Sequence, residues 1–162
     1  MLRSLFIFMI AFCLGALAMT IYAQSSFGDL SMPTGMLGTY ERPSPQDHIK
    51  EDDIRIYQNR VVITVDSPQW ATFSDTNSMD PVLDAGHNAI EVNPKSMDEI
   101  EVGDIVSYVP SDGQGTIIHR VIYKGSDDEG EYLVMKGDNN PSQDPDKVRF
   151  PQVRRMVVGI IY

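Results

Sequence analysis

The chain has 162 residues, a formal net charge of −10 and 42% hydrophobic residues, which suits one compact domain and excludes a wholly disordered chain. The acidic balance excludes nucleic acid as a partner, because phosphate groups would find no basic surface. Cys13 is the only cysteine, which excludes an intrachain disulfide framework and a cysteine-rich zinc site.

The first predicted element is an apolar segment near the amino terminus. Ser4–Ala23 is a nearly unbroken apolar run of 20 residues, and as a helix it would span about 30 Å, the thickness of the bilayer hydrocarbon. A cleavable signal peptide is the alternative, but its apolar core has roughly 7–15 residues and ends in a small-residue cleavage site. We therefore predict a retained membrane anchor over residues 1–28. Arg3 favours a cytoplasmic amino terminus, so the remainder is expected on the extracytoplasmic side.

Residues 29–53 are predicted to be a linker, because prolines and glycines interrupt them and they keep no helical or alternating pattern. From residue 54 onward, short β-branched and alternating apolar runs lie between turn-rich separators such as 111–115 and 125–130. We expect a mainly β domain over residues 54–162, an antiparallel sandwich or barrel, with a brief helix around 96–100. The predicted strands lie near Ile54 and Ile56 and at 60–65, 89–92, 104–109, 116–123, 131–136 and 153–161.

Ser78 is a candidate nucleophile in a polar stretch that ends at Pro81. A serine hydroxyl becomes a good nucleophile only when a nearby base takes its proton. Most serines in polar loops are simply solvated, so Ser78 by itself indicates little.

His119 is the candidate base, because it is a lone ionisable side chain within a predicted strand. The alternative is a structural histidine with a hydrogen-bond partner, but a neutral imidazole also suits proton transfer near neutral pH.

Asp138 and Asp144 lie in an Asx-rich segment that could equally be a plain turn. Together these residues supply a nucleophile, a base and an orienting carboxylate, and such triads occur in any chain order.

Metal sites are not predicted. Gln143 and Arg149 stand where a calcium-binding EF-hand loop requires glycine and a bidentate glutamate. The three histidines, His48, His87 and His119, are far apart in the sequence and lack the spacing of a zinc protease. No cofactor is therefore expected.

The ordered motifs resemble the signal peptidase I family, in its archaeal and endoplasmic-reticulum type that uses serine, histidine and aspartate. The bacterial type has a lysine base where this chain has His119. The resemblance covers about residues 74–161, and the matching segments are Ser78–Pro81, His119–Ile122, Lys136–Asn140 and Asp144.

This resemblance implies a role for each matched residue. Ser78 would attack the scissile carbonyl, His119 would move the proton, Asp144 would orient the imidazole and Asp138 would be a supporting carboxylate. The backbone N–H of Ser78 and the hydroxyl of Thr76 would form the oxyanion hole. The implied substrates are exported precursor proteins cut after small side chains at −1 and −3, by a mostly β domain docked at the membrane lipid.

The chain departs from the family pattern at two positions near the serine. Asn77 replaces the usual glycine, and His87 stands where the family often has an aspartate, which makes it a minor candidate for the base. Two other functions stay open: a tethered β module that only binds peptides or proteins, and a self-cleaving regulator of the LexA-like kind. The latter is disfavoured because the sequence has no helix-turn-helix segment.

Overall fold

A computed structural model describes residues 42–162 of the chain. Within this range no helix has the length and apolar character needed to cross a bilayer, and the predicted anchor at 1–28 lies outside the described residues. Three 3₁₀ helices occur, at Glu51–Asp53, Met97–Glu99 and Phe150–Gln152. The strands are β1 Ile54–Tyr57, β2 Arg60–Ile63, β3 Gln69–Thr72, β4 Asn88–Val92, β5 Ile105–Tyr108, β6 Ile117–Asp127, β7 Gly130–Lys136 and β8 Val153–Ile161.

The strands form one six-stranded sheet and a separate hairpin. The order in the sheet is β3-β4-β8-β5-β6-β7, and its paired strands are antiparallel. Among residues 42–162, strands β1 and β2 pair only with each other. The predicted mainly β, antiparallel architecture is confirmed.

The sheet buries apolar side chains on both of its faces, because alternate residues of a strand point to opposite sides. On β5, Ile105 belongs to one cluster and Val106 to the other. The smaller cluster joins the sheet to the segment that carries Ser78; its buried members are Met79, Leu83, Ala89, Ile105 and Val157. The larger cluster consists of Met97, Ile100, Val106, Tyr108, Val121, Leu133, Met135, Val148 and Met156.

Two local predictions differ from the structure. Strand β3 was not predicted because Gln69–Thr72 lacks an apolar alternation and is largely exposed at the edge of the sheet. The turn predicted over 125–130 is narrower, since Gly125–Asp127 continue β6 and only two residues join it to β7. Gly130 follows that turn at φ +106°, a conformation that favours glycine. The brief helix expected around 96–100 is confirmed at Met97–Glu99.

A segment that we call the strap, Arg42–His48, precedes the first strand and lies against the sheet. It falls within the predicted linker. Arg120 Nη1 donates to the carbonyl oxygen of Pro43 at 3.3 Å, and the N–H of Gln46 donates to Asp104 Oδ1 at 2.9 Å. The strap is therefore anchored by hydrogen bonds to buried polar side chains of the domain.

Candidate active site

Ser78 is held by the turn that follows β7. Asn139 makes two bonds to this segment: its N–H donates to the Ser78 carbonyl at 2.9 Å, and its side-chain amide donates to the Asn77 carbonyl at 3.0 Å. The approach is so close that a Cβ on Gly137 would lie 2.5 Å from the Ser78 carbonyl oxygen. A side chain at 137 would therefore displace the serine.

Asn77 adopts a left-handed backbone conformation with φ +56°. Glycine occupies this region freely, and asparagine is among the few other residues that do so at low cost. The departure from the family glycine is therefore compatible with the tight backbone that presents Ser78.

His119 lies on β6. The next residue, Arg120, is paired with Lys136, which is the last residue of β7. The His119 ring thus meets the loop after β7, where Nδ1 lies 2.7 Å from Asp144 Oδ2. The Asp144 N–H donates to the Met135 carbonyl at 2.8 Å, which fixes the carboxylate to the end of β7. Because Nδ1–H donates to the carboxylate, the neutral ring keeps its acceptor lone pair on Nε2.

Tyr108 donates its hydroxyl to the same Asp144 oxygen at 2.6 Å. The tyrosine is 2% exposed and belongs to the larger core cluster. Burial raises the pKa of Tyr108 strongly, and the hydrogen bond and charge of Asp144 act in the same direction. The hydroxyl therefore remains a donor, and two donors hold one carboxylate oxygen in place.

Asp138 is hydrogen-bonded to Arg120, whereas Asp144 is hydrogen-bonded to His119. Its two oxygens accept from Arg120 Nε and Nη2 at 2.8 and 2.7 Å, and both side chains are buried. Arg120 Nη1 also donates to the Gly103 carbonyl at 2.8 Å, while Arg42 Nη2 donates to the Asp138 carbonyl at 2.7 Å. Of the two candidate aspartates, Asp144 is hydrogen-bonded to His119 and Asp138 is held by arginine.

Ser78 and His119 line the same cleft, which has a volume of about 690 Å³. The Ser78 hydroxyl lies 3.2 Å from that of Thr76, and among residues 42–162 no hydrogen bond joins Ser78 to His119. Such contacts are often long without substrate and shorten when it binds. The cleft brings the predicted nucleophile and base together; its other lining residues include Met79, Leu83, Glu91, Ser107, Ile118, Asn140 and Arg155.

The other two histidines do not line this cleft. His87 accepts the Asp84 N–H on Nδ1 at 3.0 Å and packs edge-on against Tyr162. His48 Nε2 lies 2.9 Å from Asp104 Oδ1. Both have structural contacts, so the geometry favours His119 over His87 as the base.

Sequence reasoning missed three residues that shape the site. Tyr108 has the pattern of an ordinary core residue, and Arg120 has that of an exposed charge on a strand. Gly137 is one glycine among twelve, and its importance follows only from the distance to Ser78. Tyr108 carries no local signal, whereas Arg120 and Gly137 lie within the matched segments His119–Ile122 and Lys136–Asn140, from which no role was predicted for either residue.

Several known proteins are similar to part of this chain. One is the signal peptidase complex catalytic subunit SEC11 of Fusarium vanettenii, 34% identical over 82 residues, which are 51% of this chain and 48% of the relative. The subunit of the same name from Colletotrichum graminicola is 30% identical over 102 residues, 61% of this chain and 59% of the relative. An uncharacterized protein of Methanocaldococcus jannaschii is 38% identical over 52 residues, 32% of this chain and 26% of that protein.

The chain spans about half to three fifths of the length of the two SEC11 subunits. No family model matches the sequence, and no solved structure matches it. The similarity to the SEC11 subunits confirms the predicted resemblance of this chain to the signal peptidase I family.

Proposed function

We propose that the protein is a membrane-anchored serine endopeptidase that removes signal peptides from exported precursor proteins by a serine–histidine–aspartate mechanism. The observation that carries the proposal is the cleft lined by Ser78 and His119, with His119 Nδ1 2.7 Å from Asp144. A signal-peptidase-like β domain over residues 54–162 would supply this site.

In this mechanism Ser78 Oγ attacks the scissile carbonyl carbon while His119 Nε2 takes its proton. Asp144 accepts from Nδ1–H, which keeps the acceptor nitrogen toward the cleft and stabilises the imidazolium that forms. The imidazolium then donates its proton to the leaving amine. Water attacks the acyl-serine with the same histidine as base, which releases the cleaved protein and restores Ser78.

The oxyanion of the tetrahedral intermediate would be stabilised by the Ser78 N–H and the Thr76 hydroxyl. The 3.2 Å separation of the Thr76 and Ser78 hydroxyl oxygens supports this role, because it puts a donor beside the nucleophile that attacks the carbonyl, near where the oxyanion forms. Asp138 would support the site indirectly. Its bidentate bond to Arg120 stabilises the turn against which Ser78 lies.

The names of the SEC11 relatives support precursors with signal peptides as substrates. A membrane location is supported by the apolar run at Ser4–Ala23. It is supported also by the exposed apolar side chains of the β1–β2 hairpin, where Ile56 is 80% and Val61 58% exposed, and by the half-exposed Trp70. Apolar and aromatic side chains of this kind favour the bilayer interface.

The proposal is tested by processing of a signal-peptide precursor by the full chain purified in detergent. We expect Ser78→Ala and His119→Ala each to lower kcat by about 10⁴-fold or more. The matched controls are Ser142→Ala, an exposed serine of the same loop region as Asp144, and His87→Ala, since neither residue lines the cleft. Undiminished cleavage by either site variant would exclude the mechanism.

A serine-reactive probe separates the peptidase from a tethered binding module. We expect the probe to label the folded parent at Ser78 and to leave the Ser78→Ala protein unlabelled. A folded parent that binds precursor but neither reacts with the probe nor cleaves would be a binding module.

A further inference from the structure

The cleft has a polar end that the serine and histidine do not occupy. Glu91 on β4 lines it, although the residue is only 6% exposed. Ser107 on β5 and Arg155 on β8 also line it, and these two residues are paired across neighbouring strands. Three polar side chains from adjacent strands therefore meet on one side of the cleft.

The Glu91 carboxyl group is buried without a full set of partners. Among the described residues it has no salt bridge, and Arg155 acts on it only at longer range. Burial raises the pKa of Glu91, and this effect exceeds the opposing effects of the Arg155 charge and of the nearby Ser107 hydroxyl. The Ser107 hydroxyl donates to the Arg155 carbonyl oxygen at 3.4 Å, and among the described residues no hydrogen bond reaches the Glu91 carboxyl group. The carboxyl group thus retains acceptor capacity toward the cleft.

We propose that Glu91, with Ser107 and Arg155, forms a polar subsite that selects a hydrogen-bond-donating side chain of the precursor. This inference rests on the proposed function and deepens it. An apolar side chain placed there would bury the carboxyl group without a new partner, which is unfavourable. An acidic side chain would meet a like charge, whereas a hydroxyl, amide or ammonium group would supply the missing donor.

The position of the subsite follows from the sheet. Neighbouring strands are about 4.8 Å apart, so the backbone of Glu91 on β4 lies about 14 Å from that of His119, three strands away on β6. An extended peptide advances about 3.3 Å per residue. We therefore expect the selected side chain up to about four residues from the scissile bond, and on its amino-terminal side because the resemblance places the recognised side chains at −1 and −3.

The experiment uses the full chain in detergent and peptides that span a signal-peptide cleavage site. Positions −5 to −2 are changed one at a time to Ser, Lys, Leu or Glu, and kcat/KM is measured for each peptide. At one position we expect Ser and Lys peptides to be cleaved about tenfold better than Leu and Glu peptides. In Glu91→Leu this preference is expected to disappear or to reverse toward Leu.

Glu91→Gln is the matched variant that keeps the size of the side chain and removes its charge. It should retain the preference for Ser over Leu and lose the discrimination against Glu. The same peptides are also titrated against Ser78→Ala protein by fluorescence anisotropy, so that binding preferences are measured without cleavage.

A parent without any preference at −5 to −2, in cleavage or in binding, would overturn the subsite. A preference that persists in both Glu91 variants would overturn it as well. Failure of the parent to cleave any peptide would count against the proposed function, while the binding titration would still decide whether the subsite exists.

Discussion

The domain contains two histidine–aspartate pairs of almost equal length that have different surroundings. His119 Nδ1 lies 2.7 Å from Asp144, and His48 Nε2 lies 2.9 Å from Asp104. His119 of the first pair lines the cleft together with Ser78, whereas the second pair ties the strap to the domain. Distance alone therefore does not distinguish a pair suited to proton transfer from a structural one.

The difference lies in the free ring nitrogen and in the other partners of the carboxylate. His119 uses Nδ1 and leaves Nε2 as the acceptor, while His48 uses Nε2. Asp104 is fully buried and also accepts the backbone N–H groups of Gln46 and Glu101 at 2.9 Å each. A carboxylate saturated by backbone donors stabilises a fold, whereas Asp144 has side-chain donors and can respond to the charge of its histidine.

Asp144→Asn should have the largest effect on activity. The amide would offer N–H to His119 and favour the wrong tautomer, so we expect kcat to fall by about 10³- to 10⁴-fold. Thermal unfolding should change little. Precursor cleavage and a melting curve measured on the same preparation check both expectations, and a nearly normal kcat would remove Asp144 from the mechanism.

Asp104→Asn should have the opposite profile. The amide NH₂ of the asparagine would point at a backbone N–H group whose hydrogen bond the Asp104 carboxylate accepts in the parent. One buried donor would lose its acceptor, so the free energy of unfolding should fall by about 2–4 kcal/mol. We expect kcat at saturating precursor to stay within about threefold at a temperature where the variant is folded. Urea unfolding measures the first quantity, and a large loss of kcat in folded protein would contradict the structural assignment.

Tyr108→Phe removes one of the two donors to Asp144 and keeps the buried ring. We expect kcat to fall about tenfold with little change in KM, since a hydrogen bond to a charged group contributes on the order of 1.5–3 kcal/mol. The pH profile of kcat should also shift, because the carboxylate would hold His119 differently. A variant with lower stability but an unchanged kcat and pH profile would give Tyr108 a packing role only.

His48→Ala should have a small effect, in contrast to His119→Ala. The loss of one hydrogen bond to Asp104 should lower the free energy of unfolding by about 1 kcal/mol. Cleavage of precursor should be unchanged, because His48 does not line the cleft. Equal losses of activity in His48→Ala and His119→Ala would contradict the assignment of one histidine–aspartate pair to proton transfer and the other to structure.

Glu91 is a buried carboxyl group that is not paired with a histidine. We expect it to change how the stability of the protein depends on pH. Because burial raises its pKa in the folded state, folded protein retains this proton at a pH where unfolded protein has lost it. The parent should therefore lose stability as the pH rises above the ordinary range of a glutamate. Glu91→Gln should therefore be more stable than the parent at pH 7.5, and this stability difference should be smaller at pH 4. Thermal unfolding of both proteins at the two pH values measures it.

Much of this arrangement could be predicted from the sequence. The motifs around Ser78, His119 and Asp144 predicted the residues of the candidate site, of which Ser78 and His119 line one cleft, and alternation predicted most strands. Strand β3 could not be predicted because Gln69–Thr72 is stabilised by pairing with β4 and not by its own pattern.

The supporting residues were harder to identify. Tyr108 and Glu91 take their roles from neighbours that are distant in the chain, and alternation reports only that each residue lies on a strand. His48 was considered only as a metal ligand, since nothing local links it to Asp104, 56 residues later. Roles that depend on which long-range partner a side chain meets require the folded geometry.

The strap enters the domain at Arg42, whose guanidinium bonds to the turn that carries Asp138 and touches Ser78. Tension along the backbone on the amino-terminal side of Arg42 would therefore act first on this turn, and only later on the distant end of the sheet. Arg42 thus links the start of the strap directly to the turn that holds the Ser78 backbone, and the bonds of Pro43, Gln46 and His48 share any load with it.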